Sequence, residues 1–319
     1  MTKSISFSLI APIYGVEKYI GKFAASVLGQ TYNNIQFIFV NDGTTDSSME
    51  ILNTLIENKY RQLKDQIIII NKSNEGLPAA RRTGMEYATG DYILHIDSDD
   101  WLEVDAVEKI AEKAKETDSD IIYFDFINEY GNRVKYKSER EYNNSNKNDL
   151  IVNIYNYKGH GYVWNKCFKR EILTKHNVHY SLHAMHEDIY LMSQIIFFAK
   201  SITHLKEALY HYRKNNPHSI SAQNRAKRRH ASTLNFLDLF EKYQNTPTNE
   251  NPVSVISGDI IMRAAWYSTM YNYGLFKTHP YITKEILKTR IKKRARVWFI
   301  FQVYLKIVAF FKLLSQNPA

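Results

Sequence analysis

Over the first 125 residues, short runs of β-branched and aromatic residues alternate with stretches of helical periodicity, and this rhythm constrains the fold more than any other feature of the chain. The runs are 5–13, 35–40, 67–70, 92–96 and 120–124. Each is short for a helix and mostly apolar at consecutive positions, the pattern of a strand buried on both faces. Between them Val16, Tyr19, Ile20, Phe23, Ala24, Val27 and Leu28 recur at helical spacing. Further helices are predicted at 48–60, 79–88 and 105–117, the first opened by the capping residues Thr44, Thr45, Asp46 and Ser47. Strict alternation of this kind calls for an α/β fold whose mainly parallel sheet is covered on each side. The loops at the carboxyl ends of such strands form the ligand crevice. Pro12-Ile13-Tyr14, Asn41-Asp42-Gly43, Asn74-Glu75-Gly76 and Asp97-Ser98-Asp99 fall at those ends, so four polar loops converge on one edge.

The densest chemistry lies in Asp97-Ser98-Asp99-Asp100, which closes the run at 92–96. Carboxylates crowded at a strand end repel one another unless a cation or hydroxyl groups satisfy them. A solvated Asp-rich turn is the alternative reading. No G-x-x-x-x-G-K-[ST] loop is present, and Gly159-His160-Gly161 lacks a third glycine. Phosphates here would be neutralised by a metal, which one or two carboxylates plus substrate oxygens can hold.

Composition narrows the classes further. A hydrophobic content of 44% with 24% charged residues describes a globular protein. The single cysteine, Cys167, excludes an internal disulfide framework and a Cys-based zinc site, which points to a reducing compartment. The amino terminus runs straight into a strand-like segment without the pattern of a signal peptide, so a cytoplasmic location is expected. Beyond residue 128, Glu129 to Arg133 predicts a turn between two strands, 139–149 a mobile loop, and 244–252 a linker. Helices are predicted at 232–243, 255–273 and from 284 to the end.

Six blocks in order carry a family resemblance: Ala11-Pro12-Ile13-Tyr14, Val16-Glu17-Lys18-Tyr19-Ile20, Ser26 to Tyr32, Val40 to Asp46, Asn74 to Arg81, and Asp97 to Trp101. Together they resemble the nucleotide-binding half of family 2 glycosyltransferases of the GT-A fold, bacterial surface-glycan type. The resemblance implies a GT-A catalytic domain over 1–225, with a nucleotide-binding half at about 5–125 and an acceptor half at about 126–225, followed by a helical region at 226–319. It implies an inverting, metal-dependent transfer of a hexose or N-acetylhexosamine from a UDP-sugar to a hydroxyl of a glycan or lipid-linked glycan. Asp42 would accept the N3–H of uracil, and Arg81 would buttress the aspartates and the nucleotide. Where relatives commonly carry Asn after that arginine, this chain has Arg82.

The same resemblance makes Asp97 and Asp99 ligands of Mn²⁺ or Mg²⁺ in a DxD motif, and adds Pro12, Tyr14, Glu17 and Ser98 to the nucleotide-sugar contacts. Trp164 and Lys166 would line the sugar pocket, and His211 and Arg213 would hold the diphosphate. In His186-Glu187-Asp188 it places the general base at Asp188, with Glu187 as neighbour or alternate; two acids in the first turn of a helix, favoured by its dipole, are the plainer account. His176, His179, His183 and His186 have spacings that mimic a metal site on a helix, but Val178, Tyr180 and Leu182 alternate with them as in a strand.

The net charge of +9 is concentrated near the carboxyl end, where 284–312 hold nine Lys or Arg against Glu285. The apolar stretch 297–314, at about 1.5 Å per residue, reaches roughly 27 Å, short of the ~30 Å hydrocarbon core, and contains Lys306 and Lys312. An in-plane helix on an anionic membrane surface is expected, making the protein peripheral on the inner face of the cell membrane. A core or dimer helix is the other reading. Nucleic acid is disfavoured because the aromatics lie beside the basic cluster and do not interleave with it. Rival functions are a sugar nucleotidyltransferase, which wants a Gly-rich basic amino-terminal loop, and a non-catalytic nucleotide-sugar or membrane-binding scaffold, which has no need of Asp188.

Overall fold

The computed structural model describes residues 4–155, 158–181, 186–214 and 216, and a discontinuous set between 235 and 255. Four strands form the parallel half of its sheet: β1 (Phe7–Ile13), β2 (Ile35–Asn41), β3 (Ile67–Asn71) and β4 (Tyr92–His95), in the spatial order β3-β2-β1-β4. The β1 strand is buried along its whole length because it is flanked on both edges and covered on both faces. Pro12 is tolerated there for a specific reason. The Ile10 carbonyl accepts the Ile96 N–H on the β4 side, and alternation turns Pro12 to that same side, where β4 has already ended at His95.

Helices α1 (Ile20–Leu28), α2 (Ser48–Lys59), α3 (Leu77–Glu86) and α4 (Ala106–Thr117) cover this half. α1 buries Ile20, Phe23, Ala24, Val27 and Leu28, and α4 buries Val107, Ile110 and Ala114, in one core cluster with Phe7, Leu9, Phe37 and Phe39. α3 packs on β1 and β2 from the opposite face, where Ile10 and Val40 meet Gly84. The helix expected to start at Val16 begins at Ile20, after a turn in which the Val16 carbonyl accepts both the Tyr19 and the Ile20 N–H. α3 starts two residues earlier than expected, since Pro78 fits its first turn. α4 stops at Asp118, whose φ of +46° is left-handed.

The remaining strands close the sheet in a less local way. They are β5 (Trp101–Leu102), β6 (Ile121–Glu129), β7 (Val134–Lys137), β8 (Lys166–Lys169) and β9 (Ile202–Arg213). β8 inserts antiparallel between β4 and β6, and β9 runs parallel to β6 with a bulge around Asp125. β7 forms the predicted hairpin with β6. Helices α5 (Lys147–Tyr155), α6 (Glu171–Lys175) and α7 (Glu187–Phe198) accompany these strands, with α5 packed on α7.

Two expectations change. The segment expected as a mobile loop at 139–149 is pinned: the Glu139 N–H donates to Asp125, the Tyr142 N–H donates to the Tyr123 hydroxyl, and α5 already begins at Lys147. The segment expected as a linker at 244–252 folds back, with Asn251 donating to the Tyr243 carbonyl and Pro252 and Val253 buried. Most of the helices expected beyond residue 231, and the basic apolar terminal helix, lie outside the described residues. Among the described residues no helix is long and apolar enough to cross a membrane.

Candidate active site

The β2 loop is fastened to the start of α3 through Asp42. Its Oδ1 accepts the Lys72 ammonium at 3.0 Å and the Glu75 N–H at 3.1 Å, and its Oδ2 accepts the Gly76 N–H at 2.8 Å. A carboxylate has about four acceptor positions, so one on Oδ2 is left for a ligand N–H. Gly43 permits this closeness: its φ is +69°, and a Cβ there would stand 2.8 Å from the Asn74 nitrogen. Tyr14 is exposed at the end of β1. Glu17 is engaged locally, its N–H donating to Asp46 and its carboxylate accepting the Ser47 N–H ahead of α2. Pro12 and Ser98 meet each other, the Ser98 hydroxyl donating to the Pro12 carbonyl at 2.7 Å. Both are buried, and this bond sets the position of the acidic turn.

The acidic turn divides its labour. Asp100 is buried and clamps β9, accepting the Arg213 N–H at 2.7 Å and the Tyr210 hydroxyl at 2.8 Å. Burial, then Asp99 and Asp97, holds its carboxyl well above the usual range. Asp99 accepts the Asn216 amide at 2.8 Å through Oδ2, and burial followed by the charge of Asp97 raises its carboxyl as well. Asp97 receives Arg81 at 2.5 Å through Oδ1. Asp97 Oδ2 and Asp99 Oδ1 accept no hydrogen bond among the described residues. No group of three or more metal-binding side chains occurs among those residues.

Arg81, on α3, connects this turn to a segment far along the chain. One guanidinium nitrogen donates to Asp97 and the other to Glu187, while Nε has no partner among the described residues. Burial opposes its charge, but Asp97 and then Glu187 outweigh that effect and keep it a cation. Glu187 and Asp188 open α7, whose N-terminal dipole favours acids there. They follow His186, which sits at a left-handed φ of +62°. Burial drives the Glu187 carboxyl up to about 8 against the pull of Arg81, and Asp188 adds to the rise. Burial also raises Asp188, moderated by His186 and Arg81. Asp188 Oδ1 accepts the Ile189 N–H at 2.8 Å.

An aromatic wall stands beside these acids. Trp164 stacks between Tyr162 at 4.6 Å and Tyr210 at 4.3 Å; burial first, then Tyr212 and Asp188, raise the Tyr162 phenol. Two expected contacts need correction. Lys166 is buried, and its ammonium donates to the carbonyls of His160 and Tyr162 and to Asn165 Oδ1; with all three protons engaged it holds the 160–165 loop in place and does not reach for a sugar. His211 stacks on Trp101 at 4.9 Å, with its ring nitrogens 2.8 Å from Glu129 and 2.7 Å from Glu103, so both nitrogens are engaged by acids and neither is left for a diphosphate. Arg213 stays at the acidic turn, donating to the Asp99 carbonyl and lying over Tyr19 and Trp101.

Sequence reasoning missed Tyr210, Tyr162 and Asn216; the alternation Tyr210-His211-Tyr212-Arg213 was the available signal for a strand. The histidine series forms no cluster: His176 stacks on Phe198, His179 meets Tyr243 edge-on, and His183 lies outside the described residues. The strand expected around Val178 and Tyr180 pairs with nothing in the sheet.

The family model described as Glycosyl transferase family 2 matches residues 8–176. Among curated proteins, the glycosyltransferase EpsH of Bacillus subtilis is 29% identical over 212 residues, which is 65% of this chain and 60% of the relative. The chain therefore spans less than two thirds of that relative's length. Among solved structures, S. aureus TarS 1-349 in complex with UDP-GlcNAc superposes with a TM-score of 0.64 at 18% identity, covering 85% of this chain and 76% of that one. Mannosyltransferase PcManGT from Pyrobaculum calidifontis, in complex with GDP-Man and Mn²⁺, gives 0.56 at 13% identity over 99% and 89%. At such identities the two structures speak to the fold.

Proposed function

Because the chain belongs to glycosyl transferase family 2 and has the GT-A α/β fold, we propose that it transfers a sugar from a UDP-sugar to a hydroxyl of a bacterial surface glycan, inverting the anomeric centre. One observation carries this reading. The single guanidinium of Arg81 reaches both Asp97 on the nucleotide side and Glu187 beside Asp188, so the donor-side and acceptor-side acids belong to one crevice. A scaffold that only bound nucleotide would have no use for two further acids buried against that arginine.

Asp188 is the base in this proposal. Its carboxylate takes the acceptor O–H proton as the oxygen attacks the anomeric carbon, and the bond from that carbon to the UDP oxygen breaks with the electron pair leaving on UDP. One displacement of this kind inverts the centre and requires no covalent sugar–enzyme intermediate. Raising a carboxyl by burial brings its proton affinity toward neutral pH, where it accepts the proton most effectively. Asp42 offers the acceptor position that suits a uracil N–H, and the TarS complex with UDP-GlcNAc is consistent with a uridine donor.

A divalent cation fits the residues present. Asp97 Oδ2 and Asp99 Oδ1 are two uncommitted carboxylate oxygens, the small donor set that Mg²⁺ or Mn²⁺ completes with substrate phosphates. Bound there, the ion would supply charge neutralisation for a departing diphosphate.

The experiment is Asp188→Asn with a titration of UDP affinity against Mn²⁺ and Mg²⁺. The variant should keep cation-dependent UDP binding while transfer falls by about 10²–10⁴-fold, the usual contribution of a general base. Undiminished transfer removes Asp188 from the role. UDP compounds that bind equally with and without a cation remove the metal.

A further inference from the structure

The register of β7, β6 and β9 identifies a row of side chains that runs outward from Tyr210, the one member that also meets the acidic turn. Phe126 pairs with Lys137 on one side and Tyr210 on the other; Asn128 pairs with Lys135 and Tyr212. Directly paired residues project from the same face of a sheet. That face carries the aromatic wall, since Trp164 packs on Phe126, Tyr210 and Tyr212, and Tyr162 on Phe126 and Tyr212. Lys214, just past β9, continues the row, its ammonium 3.7 Å from the centre of the Tyr212 ring. Three lysines thus border the wall that stands beside Asp188.

Their surroundings are those of a site awaiting an anion. Lys135 and Lys214 are exposed and Lys137 is half-buried, and none forms a salt bridge among the described residues. Partial desolvation of its head group over the Tyr212 ring lowers the Lys214 ammonium to about 8; Asp100 opposes this and Lys137 adds to it. Neighbouring cations that form no ion pair gain most when an anion joins them. A second, independent feature lies in the same row. Asn128 is 4% exposed, and its Oδ1 is buried with no partner among the described residues. A buried carbonyl oxygen left without a donor is uncommon, and a sugar hydroxyl supplies one.

We propose that this row is the acceptor subsite and that the accepting sugar lies next to a phosphate: the wall and Asn128 take the sugar, while Lys135, Lys137 and Lys214 take the phosphate. The inference rests on the transferase reading, which provides the acceptor hydroxyl for Asp188. Lysine suits the task because an ammonium is a point charge that follows a phosphate without demanding one geometry. Such an acceptor comes from either of two sources, a phosphodiester-linked polymer or a lipid diphosphate. The chemistry at the lysines is the same.

The test compares three probes that carry one sugar: an uncharged octyl glycoside, the same sugar on an alkyl diphosphate, and the same sugar on a glycerol phosphate tetramer. Binding to the full chain is followed by ligand-observed NMR in the presence of UDP, at low and high salt. At least one phosphate-bearing probe should bind at least tenfold more tightly than the octyl glycoside, and the gain should vanish in Lys135→Gln/Lys137→Gln/Lys214→Gln and shrink as salt screens it. Preference for the diphosphate or for the tetramer supports the proposal and names the source. Equal binding of all three probes, or a gain that survives the triple substitution, overturns it. Failure of the unmodified protein to bind UDP is read separately and overturns the transferase reading beneath it.

Discussion

Arg81 is buried between the acid groups of Asp97 and Glu187, and removing either would leave part of a buried cation without its partner. Its partner Glu187 carries the more informative proton. Because burial raises Glu187 to about 8, and Asp188 with it, the folded protein binds more protons at this pair than the unfolded chain does. The pair's contribution to stability is therefore full below the unfolded carboxyl range, near 4, and is lost as pH rises toward 8. Glu187→Gln should flatten that decline, measured as the urea midpoint between pH 5 and 8; an unchanged slope would assign the decline elsewhere. Part of this was legible in the residues. Glu187-Asp188 stood out as an acid pair, and Arg81 followed from the resemblance, but their contact joins positions 106 apart. Nothing in local spacing announces such a meeting. Lys166 illustrates the converse, since a lysine near a pocket reads as a ligand contact until its three protons are traced to two carbonyls and an amide.

At the scale of elements, α3 is where packing and chemistry meet. It carries Arg81 and, three residues later, Gly84, where a Cβ would stand 2.3 Å from Ile10 Cγ2 and 3.3 Å from Val40 Cγ2. Gly84→Ala gains about 1 kcal/mol in helix propensity, but overpacking of a tight core contact costs about 1–3 kcal/mol. An overlap this deep on a β-branched side chain belongs at the upper end, so net destabilisation is expected, read as a lower Tm. The helix must also move away from the sheet and draw Arg81 off Asp97 and Glu187, so the variant should lose donor affinity along with stability. Retained donor affinity at lowered Tm would separate the packing of α3 from the site. The helices and parallel strands of this half were readable because a period of 3.6 or a continuous apolar run is a local property. β5, β8 and β9 were not, since a two-residue strand and a strand that pairs with distant partners leave little periodic trace.

For the molecule as a whole, we extend the functional proposal to location from the basic run at 284–312 and the apolar stretch that overlaps it at 297–314: a peripheral protein on an anionic membrane face, at the cytoplasmic side. The full chain should sediment with vesicles containing anionic lipid and leave neutral ones in solution, and rising salt should release it in part. Equal binding to both kinds of vesicle, or to neither, would end that extension. What the sequence determined by itself was the α/β class, the parallel half of the sheet and the edge at which its polar loops gather, because each follows from periodicity and turn chemistry within a few residues of chain. Tertiary structure alone decided that β8 enters between β4 and β6, that Arg81 spans the donor and acceptor acids, and that Lys135, Lys137 and Lys214 share a face with the aromatic wall. Periodicity reports whether a side chain is buried; which distant partner it is buried against depends on how the strands are ordered.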